Sequence, residues 1–478
     1  MIRQELKERA KTIVQLPGHF RPAIEEYFEG ENGEGEAMYW WVDEQQEETI
    51  SLTLDLAGNL TSLTIDLKQT IPEKATLNEG QLKALADQFL SNHYPQALEA
   101  LSCGEAKKIM DTYRFHYEQI VFDLPLAKAG CFIDVAPSGE VVNFKYYGLK
   151  PEPAIPNTLI TKEKLIDHVK NRLDFQLTIA NLYTAIYDVE ENGLQLVYEI
   201  EPFFMKYKAG VLEPTLTVIH DEDEGSQETY APLPPPHACS RKDVSNEEII
   251  GVTQEMEIVR DGEFGEDRGI VWRERDWKKD ENDLSINSFF QNRNEDTVKA
   301  FISKKTGKIR SFMWFKERQG DLNLNREECY RKAIDLLQMA LPNYEQFLQL
   351  IIHTDEELDD TGSHESFVFR VHNGYGIPVY LERVLVAVNR LTGQIDNYSG
   401  PSFDLEELQQ LPFEPAISKK EAHGIFLRHL DFELAWNESY EEQEKSDILI
   451  YQGRDQYTRK SIRYIDALTG VAITEKSN

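Results

Sequence analysis

The sequence predicts an α+β protein made of two tandem duplicated halves, each of about three small units in which a helix packs on an antiparallel sheet. Three observations carry this. The stretch Ile160–Leu177 aligns without a gap with Ile417–Leu434, and both leave a helical pattern through Leu-Asp-Phe. Leu77-Asn78 and Leu324-Asn325 each open a helical stripe that stops at a proline, Pro95 and Pro342. A turn with Asp, Asn or Ser early and Gly at its end recurs between apolar runs at Asp55–Gly58, Val135–Gly139, Ser303–Gly307, Asn389–Gly393 and Asp466–Gly470. Repetition of whole patterns at a long interval is the signature of duplication, and it outranks any single short motif.

The elements follow in order. Helices are expected near 2–15, 78–93, 161–173, 245–256, 325–341 and 418–430, with strands filling the intervals. Asn78, Thr161, Asn325 and Ser418 are N-cap residues, because a side-chain oxygen there can accept a free backbone N–H of the first turn. Behind the caps, Leu82, Leu85, Ala86, Phe89 and Leu90 form one apolar stripe, matched by Cys329, Lys332, Ala333, Leu336 and Leu337. Lys332 interrupts the second. Leu165, Val169 and Leu173 correspond in the same way to Ala422, Phe426 and Leu430. In the recurrent turn the polar side chain bonds forward to backbone N–H groups and the Gly takes a positive φ to reverse the strand.

The 478 residues therefore divide into a first half, 1–231, with units of about 1–70, 71–150 and 151–231. A Pro-rich linker, 232–243, leads to a second half, 244–478, with units of about 244–318, 319–402 and 403–478. The linker's Pro-Leu-Pro-Pro-Pro run forbids a helix or a central strand and favours an extended spacer.

Lys and Arg number 51 against 84 Asp and Glu, a net charge of −33. This balance repels phosphate backbones and anionic membrane surfaces, so nucleic acid is excluded as a partner. The N-terminus is charged throughout Arg3–Lys11 and no apolar run approaches a membrane span, so neither export nor membrane insertion is expected and the cytoplasm is the default.

The reactive residues carry no sharper chemical signature. No nucleophile elbow, zinc helix or Walker loop occurs. Gly30, Gly33 and Gly35 lie among glutamates, which suits an acidic loop and not a phosphate cradle. His423 and His429 share a helix but not a face, and His423 replaces Ile166 of the other half. The acidic runs His220–Gly225 and Asp355–Asp360 lack the oxygen spacing of a calcium loop. Cys329 and Cys131 read as small buried hydrophobes, Cys239 as an exposed linker thiol, and Cys103 has no CxxC partner. No catalytic, cofactor-binding or metal-ligating residue is assigned. Tyr39-Trp40-Trp41 and Val271-Trp272-Arg273, with Trp277 nearby, open equivalent strands of the two halves. They either pack alternately beneath a helix or present an exposed aromatic strip to a partner.

With Gly376-Ile-Pro-Val379, Asn389–Gly393, Asp466–Gly470 and the Leu-Asp-Phe exits in place, the chain resembles the YcdB/YcdC repeat proteins of bacilli. Those repeats are similar to PepSY modules, the small α+β units of thermolysin-like metallopeptidase propeptides. The first half departs from the pattern, with Asp123-Leu-Pro-Leu126 in place of Gly-Ile-Pro-Val. The resemblance implies a non-catalytic module that binds a protein or peptide, peptidase inhibition being one form of this. A structural scaffold, or an enzyme with a site between the halves, stands as the alternative.

Overall fold

The computed structural model describes residues 2–30, 35–45, 47–67, 77–202, 205–215, 229–237, 244–278, 283–352, 362–441 and 444–476. Helices occupy Arg3–Val14, Glu79–His93, Lys162–Lys170, Asn246–Ile250, Arg326–Ala340 and Lys419–His429. Asn78, Asn325 and Ser418 cap theirs in reciprocal boxes with Gln81, Glu328 and Glu421, and Thr161 caps through the Lys164 N–H. The helix expected over 245–256 stops at Ile250 because Gly251 turns left-handed at φ 83°. A further helix, Ile286–Asn294, begins behind Ser285 in an interval where strands were expected.

Two large sheets repeat one topology. In the first, Arg21–Glu29, Gly35–Val42, Thr49–Asp55 and Leu60–Asp66 run as a meander. Its last strand joins Val141–Gly148, followed outward by Gly130–Val135, Thr112–Glu118 and Ser102–Cys103. In the second, Met256–Phe264, Asp267–Glu274, Thr297–Ser303 and Ile309–Trp314 form the meander, and Ile395–Ser399, Pro378–Asn389, His364–His372 and Leu348–Ile352 complete it. Thr229–Pro232, at the start of the Pro-rich stretch, adds an edge strand on Leu348–Ile352. Each sheet buries one face under its helices. Leu6, Ala10, Leu82, Ala86 and Leu90 lie in the first core, and Cys329, Ala333, Leu336 and Leu337 in the second. Lys332 is exposed, and Ile334 lies buried in the core beside that stripe.

The recurrent turn serves these helices. Gly139, Gly393 and Gly470 have φ of 100°, 69° and 74°, and each lies against the residue just before a helix. A Cβ at Gly393 would stand 3.1 Å from the Leu324 methyl, and one at Gly139 3.0 Å from that of Leu77. Asn389 and Asp466 accept the N–H groups two and three residues on, bonding forward as the sequence suggests.

The third units are exchanged between the halves. The hairpin Asp174–Leu182/Gly193–Glu201 from the first half pairs with Ile462–Asp466 of the second. Conversely, the hairpin Leu430–Glu441/Glu444–Asp455 pairs with Lys206–Lys208 of the first. Helices follow the same exchange. Phe426 of the second-half helix packs edge-on to Phe175 at 5.9 Å, and Tyr207 packs edge-on to Phe432 at 6.1 Å. The polar contacts are reciprocal too. Tyr198 donates to the Ile417 carbonyl at 2.9 Å and Tyr451 to that of Ile160 at 2.7 Å. Lys162 pairs with Asp431 at 2.9 Å, and Lys419 with Asp174. Ala209 donates to Leu449, and Ala467 to Leu196. Each hairpin is thus completed by a helix and a strand of the other half's third unit. The first hairpin also meets the second sheet through a parallel bridge, Ile179 to Val379, in an otherwise antiparallel architecture.

Candidate functional site

The aromatic strands settle as core. Tyr39 and Trp41 are buried and stack at 5.7 Å, and Trp272 is buried on the equivalent face. Trp40 points to the opposite face but is covered by Phe289, at 5.4 Å, from the helix Ile286–Asn294. Trp277 lies under the Arg273 guanidinium at 3.8 Å. These tryptophans therefore form no exposed strip, and the packed alternative applies to them.

The remaining candidates disperse. His423 is partly buried, with Nε2 3.3 Å from the Lys170 carbonyl and its ring against Phe175, at the exchanged seam. His429 meets Asp455 at 2.8 Å. Cys329 and Cys131 are buried, and burial pushes the Cys131 thiol up to about 12, so it is inert as a nucleophile. Cys103 is half-buried and raised by the same cause. Cys239, Gly33, the acidic runs 220–225 and 355–360, and linker residues 238–243 lie outside the described residues. Among the described residues no three His, Cys, Asp or Glu side chains converge as a metal site. No helix among them is long and apolar enough to cross a membrane.

One polar cluster escaped sequence reasoning because its members are scattered. Asp396, buried, accepts from Arg318 Nε at 2.6 Å, Asn389 Nδ2 at 2.9 Å and His364 Nε2 at 2.7 Å. Ser363 Oγ stands 2.9 Å from His364 Nδ1, so a Ser-His-Asp chain is present. Its chemistry is muted. Arg318 already neutralises the carboxylate, and Asn389 shares it while holding the turn that follows. The nearby cleft of about 290 Å³ is lined by Arg318, Gly393 and Ile395 but not by Ser363 or His364. What the described residues show is a structural role: the bonds of Asp396 tie the strands His364–His372, Pro378–Asn389 and Ile395–Ser399 together.

The open feature is a sheet edge. Met256–Phe264 ends the second sheet and, among the described residues, pairs only with Asp267–Glu274. Most of its nine residues are exposed, with Ile258 at 53%, Val259 at 48% and Phe264 at 55%. Its counterpart Arg21–Glu29 is covered. There the Glu25 N–H donates to the Leu284 carbonyl at 2.8 Å, and Ile286 N–H to Glu26 at 2.9 Å. An unpaired edge of this length is a template for another strand.

The family model of the YcdB, YcdC repeated domain matches residues 3–148 and 240–402. These are the stretches that build the two matching sheet topologies; 149–239 and 403–478, which carry the exchanged units, lie outside the match. The chain is 31% identical over 473 residues to the uncharacterized protein YcdB of Bacillus subtilis (strain 168), covering 98% of this chain and 97% of that one. To the uncharacterized protein YcdC of the same strain it is 29% identical over 443 residues, 92% and 93% of the two chains. Among solved structures, the Bacillus megaterium YpeB C-terminal domain is similar over 42% of this chain and 86% of its own, at 14% identity and a TM-score of 0.26. That likeness is too loose to carry an argument.

Proposed function

The chain belongs to the YcdB/YcdC repeated-domain family, and from that premise we propose that it is a non-catalytic module that binds a protein or peptide partner in the cytoplasm. The observation that carries this is the open edge Met256–Phe264, set against an equivalent edge that the chain covers for itself. Binding there needs no reacting group: main-chain hydrogen bonds supply affinity and alternate side chains supply selectivity. A PepSY-like inhibitory role toward a peptidase is the specific form in which a strand laid along an edge blocks a substrate cleft. The Asp396 cluster supports the non-catalytic reading, because its carboxylate is spent on Arg318 and Asn389.

A scaffold is the second reading, favoured by the exchanged hairpins, which lock the two halves into one body. The test is affinity capture from a native-host lysate on the immobilised full chain, followed by mass spectrometry. Enrichment of a protein over a mock column is expected; failure to enrich any favours the scaffold. The inhibitory form is checked separately, by whether the purified chain slows a metallopeptidase of that host.

A further inference from the structure

The two copies of the repeat diverge most informatively at their outer strands. Both carry a bulge at the same place, between Pro22 and Ile24 in the first and between Ile258 and Arg260 in the second. The shared bulge fixes the equivalences by register: Ile24 corresponds to Arg260, Trp40 to Val271, Val42 to Arg273 and Ser51 to Lys299. In the first copy Ile24 is 1% exposed, and Trp40 beside it is sealed by Phe289. The helix that seals them comes from residues between Asp267–Glu274 and Thr297–Ser303; the first copy has only the six residues 43–48 between its equivalent strands, too few to return one. The second copy's edge is left open, and cations replace its apolar face.

Four cations gather there. Arg260, Arg273 and Lys299 lie on one face of three adjacent strands, and Arg293 joins them from the neighbouring helix. Among the described residues none of the four forms an ion pair with a carboxylate. Arg273 is spent on the backbone carbonyls of Asn292 and Glu295, Lys299 on the Asn294 side chain, and Arg293 on the ring of Phe289. Burial lowers the Lys299 ammonium, and Arg293, Arg260 and Arg273 lower it further, while Arg273 also faces Asp296 and Glu295. Four cations without a carboxylate ion pair among the described residues stand out in a chain of net charge −33. Beside it lies a fixed apolar patch. Phe264 packs edge-on to Phe301 at 5.8 Å, both substantially exposed, over Gly269, where a Cβ would stand 2.8 Å from the Phe264 ring.

We propose that the open strand Met256–Phe264 takes up an extended acidic peptide segment as an added strand, its carboxylates meeting Arg260, Arg273, Arg293 and Lys299 and its apolar side chains meeting Phe264 and Phe301. The first copy shows on this same fold an incoming chain segment lying along such an edge, with one main-chain bond from Glu25 to Leu284 and one from the Ile286 N–H to the Glu26 carboxylate. The exchange of Ile24 for Arg260 and Val42 for Arg273 says the second occupant is acidic where the first is apolar. A second copy of the chain suits the site less, since it would bring the same four cations to face these. The bulge and the charges on the edge also explain why it can stay open without promiscuous pairing.

This inference rests on the binding reading above, and its test separates the two. Because Arg260 and Phe264 share a face four residues apart, a fluorescein-labelled Glu-Thr-Glu-Thr-Val-Thr-Val-Thr peptide is titrated with the full chain by anisotropy, beside its Lys-Thr-Lys-Thr-Val-Thr-Val-Thr counterpart, and amide hydrogen exchange locates the contact. The acidic peptide should bind at least about tenfold tighter than the basic one, weaken with salt, and protect 256–264. Arg260→Glu and Arg293→Glu, both at exposed positions, should each cost several-fold while leaving the near-ultraviolet circular dichroism unchanged. Equal binding of the two peptides, or protection elsewhere, overturns the assignment. So does a concentration-dependent dimer dissociated by Arg260→Glu, which would give the edge to a second copy. If a protein captured from lysate protects another surface, the binding function stands and this edge assignment falls. If neither peptide nor protein binds, both fall.

Discussion

Phe426→Ala tests the exchange of units directly. Phe426 sits on the helix Lys419–His429, which runs without a break into the strand Leu430–Glu441. Sequence adjacency alone would make that strand the one to suffer. The structure says otherwise: the ring is 1% exposed and packs on Phe175, in the first-half hairpin Asp174–Glu201. Truncating a buried Phe to Ala costs about 3–5 kcal/mol, part lost transfer energy and part residual cavity. Taking the lower figure, and a factor of ten per 1.4 kcal/mol, amides that exchange through local opening of that hairpin should exchange roughly a hundredfold faster.

The assay is native-state hydrogen exchange with peptide resolution, which reports sub-global opening segment by segment. Acceleration should be largest at 174–182 and 193–201 and smaller at 430–455. The mirror variant Leu165→Ala, fully buried on the helix Lys162–Lys170, should reverse that ranking and loosen 430–455 first. Should Phe426→Ala loosen 430–455 while 174–201 keeps its protection, the exchanged arrangement is wrong and each hairpin belongs to its own helix.

Two further outcomes follow from single side chains. Asp455 is buried; burial alone would raise its carboxyl, but bonds from Thr458 and His429 outweigh this and hold it below the usual range. A folded pKa below the unfolded one means its stabilisation is complete above about pH 4 and is lost as pH falls through the folded value. Urea midpoints should therefore drop on acidification below about pH 4, and Asp455→Asn should flatten that drop; an unchanged slope would exclude Asp455 as a contributor. Asn389→Ala should cost about 2–4 kcal/mol, since it strips the N–H groups of Leu391 and Thr392 of their acceptor and removes a donor from buried Asp396. Asn389→Asp should be worse than the equivalent swap Asp466→Asn, because Asn389 Nδ2 faces Asp396 at 2.9 Å and a second carboxylate would repel it. Paired urea titrations of the two swaps decide this.

The helices and turns were legible because their signals are local. Asn78, Asn325 and Ser418 announce caps within four residues of the side chains that answer them, and Gly393 or Gly470 needs only its own turn. Gly251 is an equally local stop signal, but Val252 and Met256 beyond it imitate a continuing apolar stripe. The helix Ile286–Asn294 has weak local evidence: two adjacent phenylalanines and a short run, held by Trp40 and Glu26 from the other half. The exchange itself was not legible. Leu173-Asp174-Phe175 and Leu430-Asp431-Phe432 are the same tripeptide, so each hairpin presents the same surface to either helix, and local chemistry does not choose between partners. The cationic patch was hidden for another reason. Arg260 and Lys299 lie on separate strands, in a chain with 84 acids, and only strand register brings them together.

That same equivalence explains why duplication leads to asymmetry at the edges. Two copies of a four-stranded meander offer two outer strands, each with unpaired main-chain groups that must be bonded, charged or blunted. One insertion in one copy, residues 275–296, solves the problem for its neighbour: it lays Leu284 along Glu25 and drops Phe289 on Trp40. It cannot cover its own strand as well, because the helix already lies between the sheets, with Arg273 bound to its last carbonyls. The second edge was then free to diverge, and it diverged toward charge, at Arg260, Arg273 and Lys299, while keeping the bulge. An edge under no demand beyond solubility would be expected to take the sign of the rest of the surface. The strand keeps that sign in Glu257, Asp261 and Glu263, and the cations gather only on the face shared by Arg260, Arg273 and Lys299, which is where the acidic side chains of an occupant would lie.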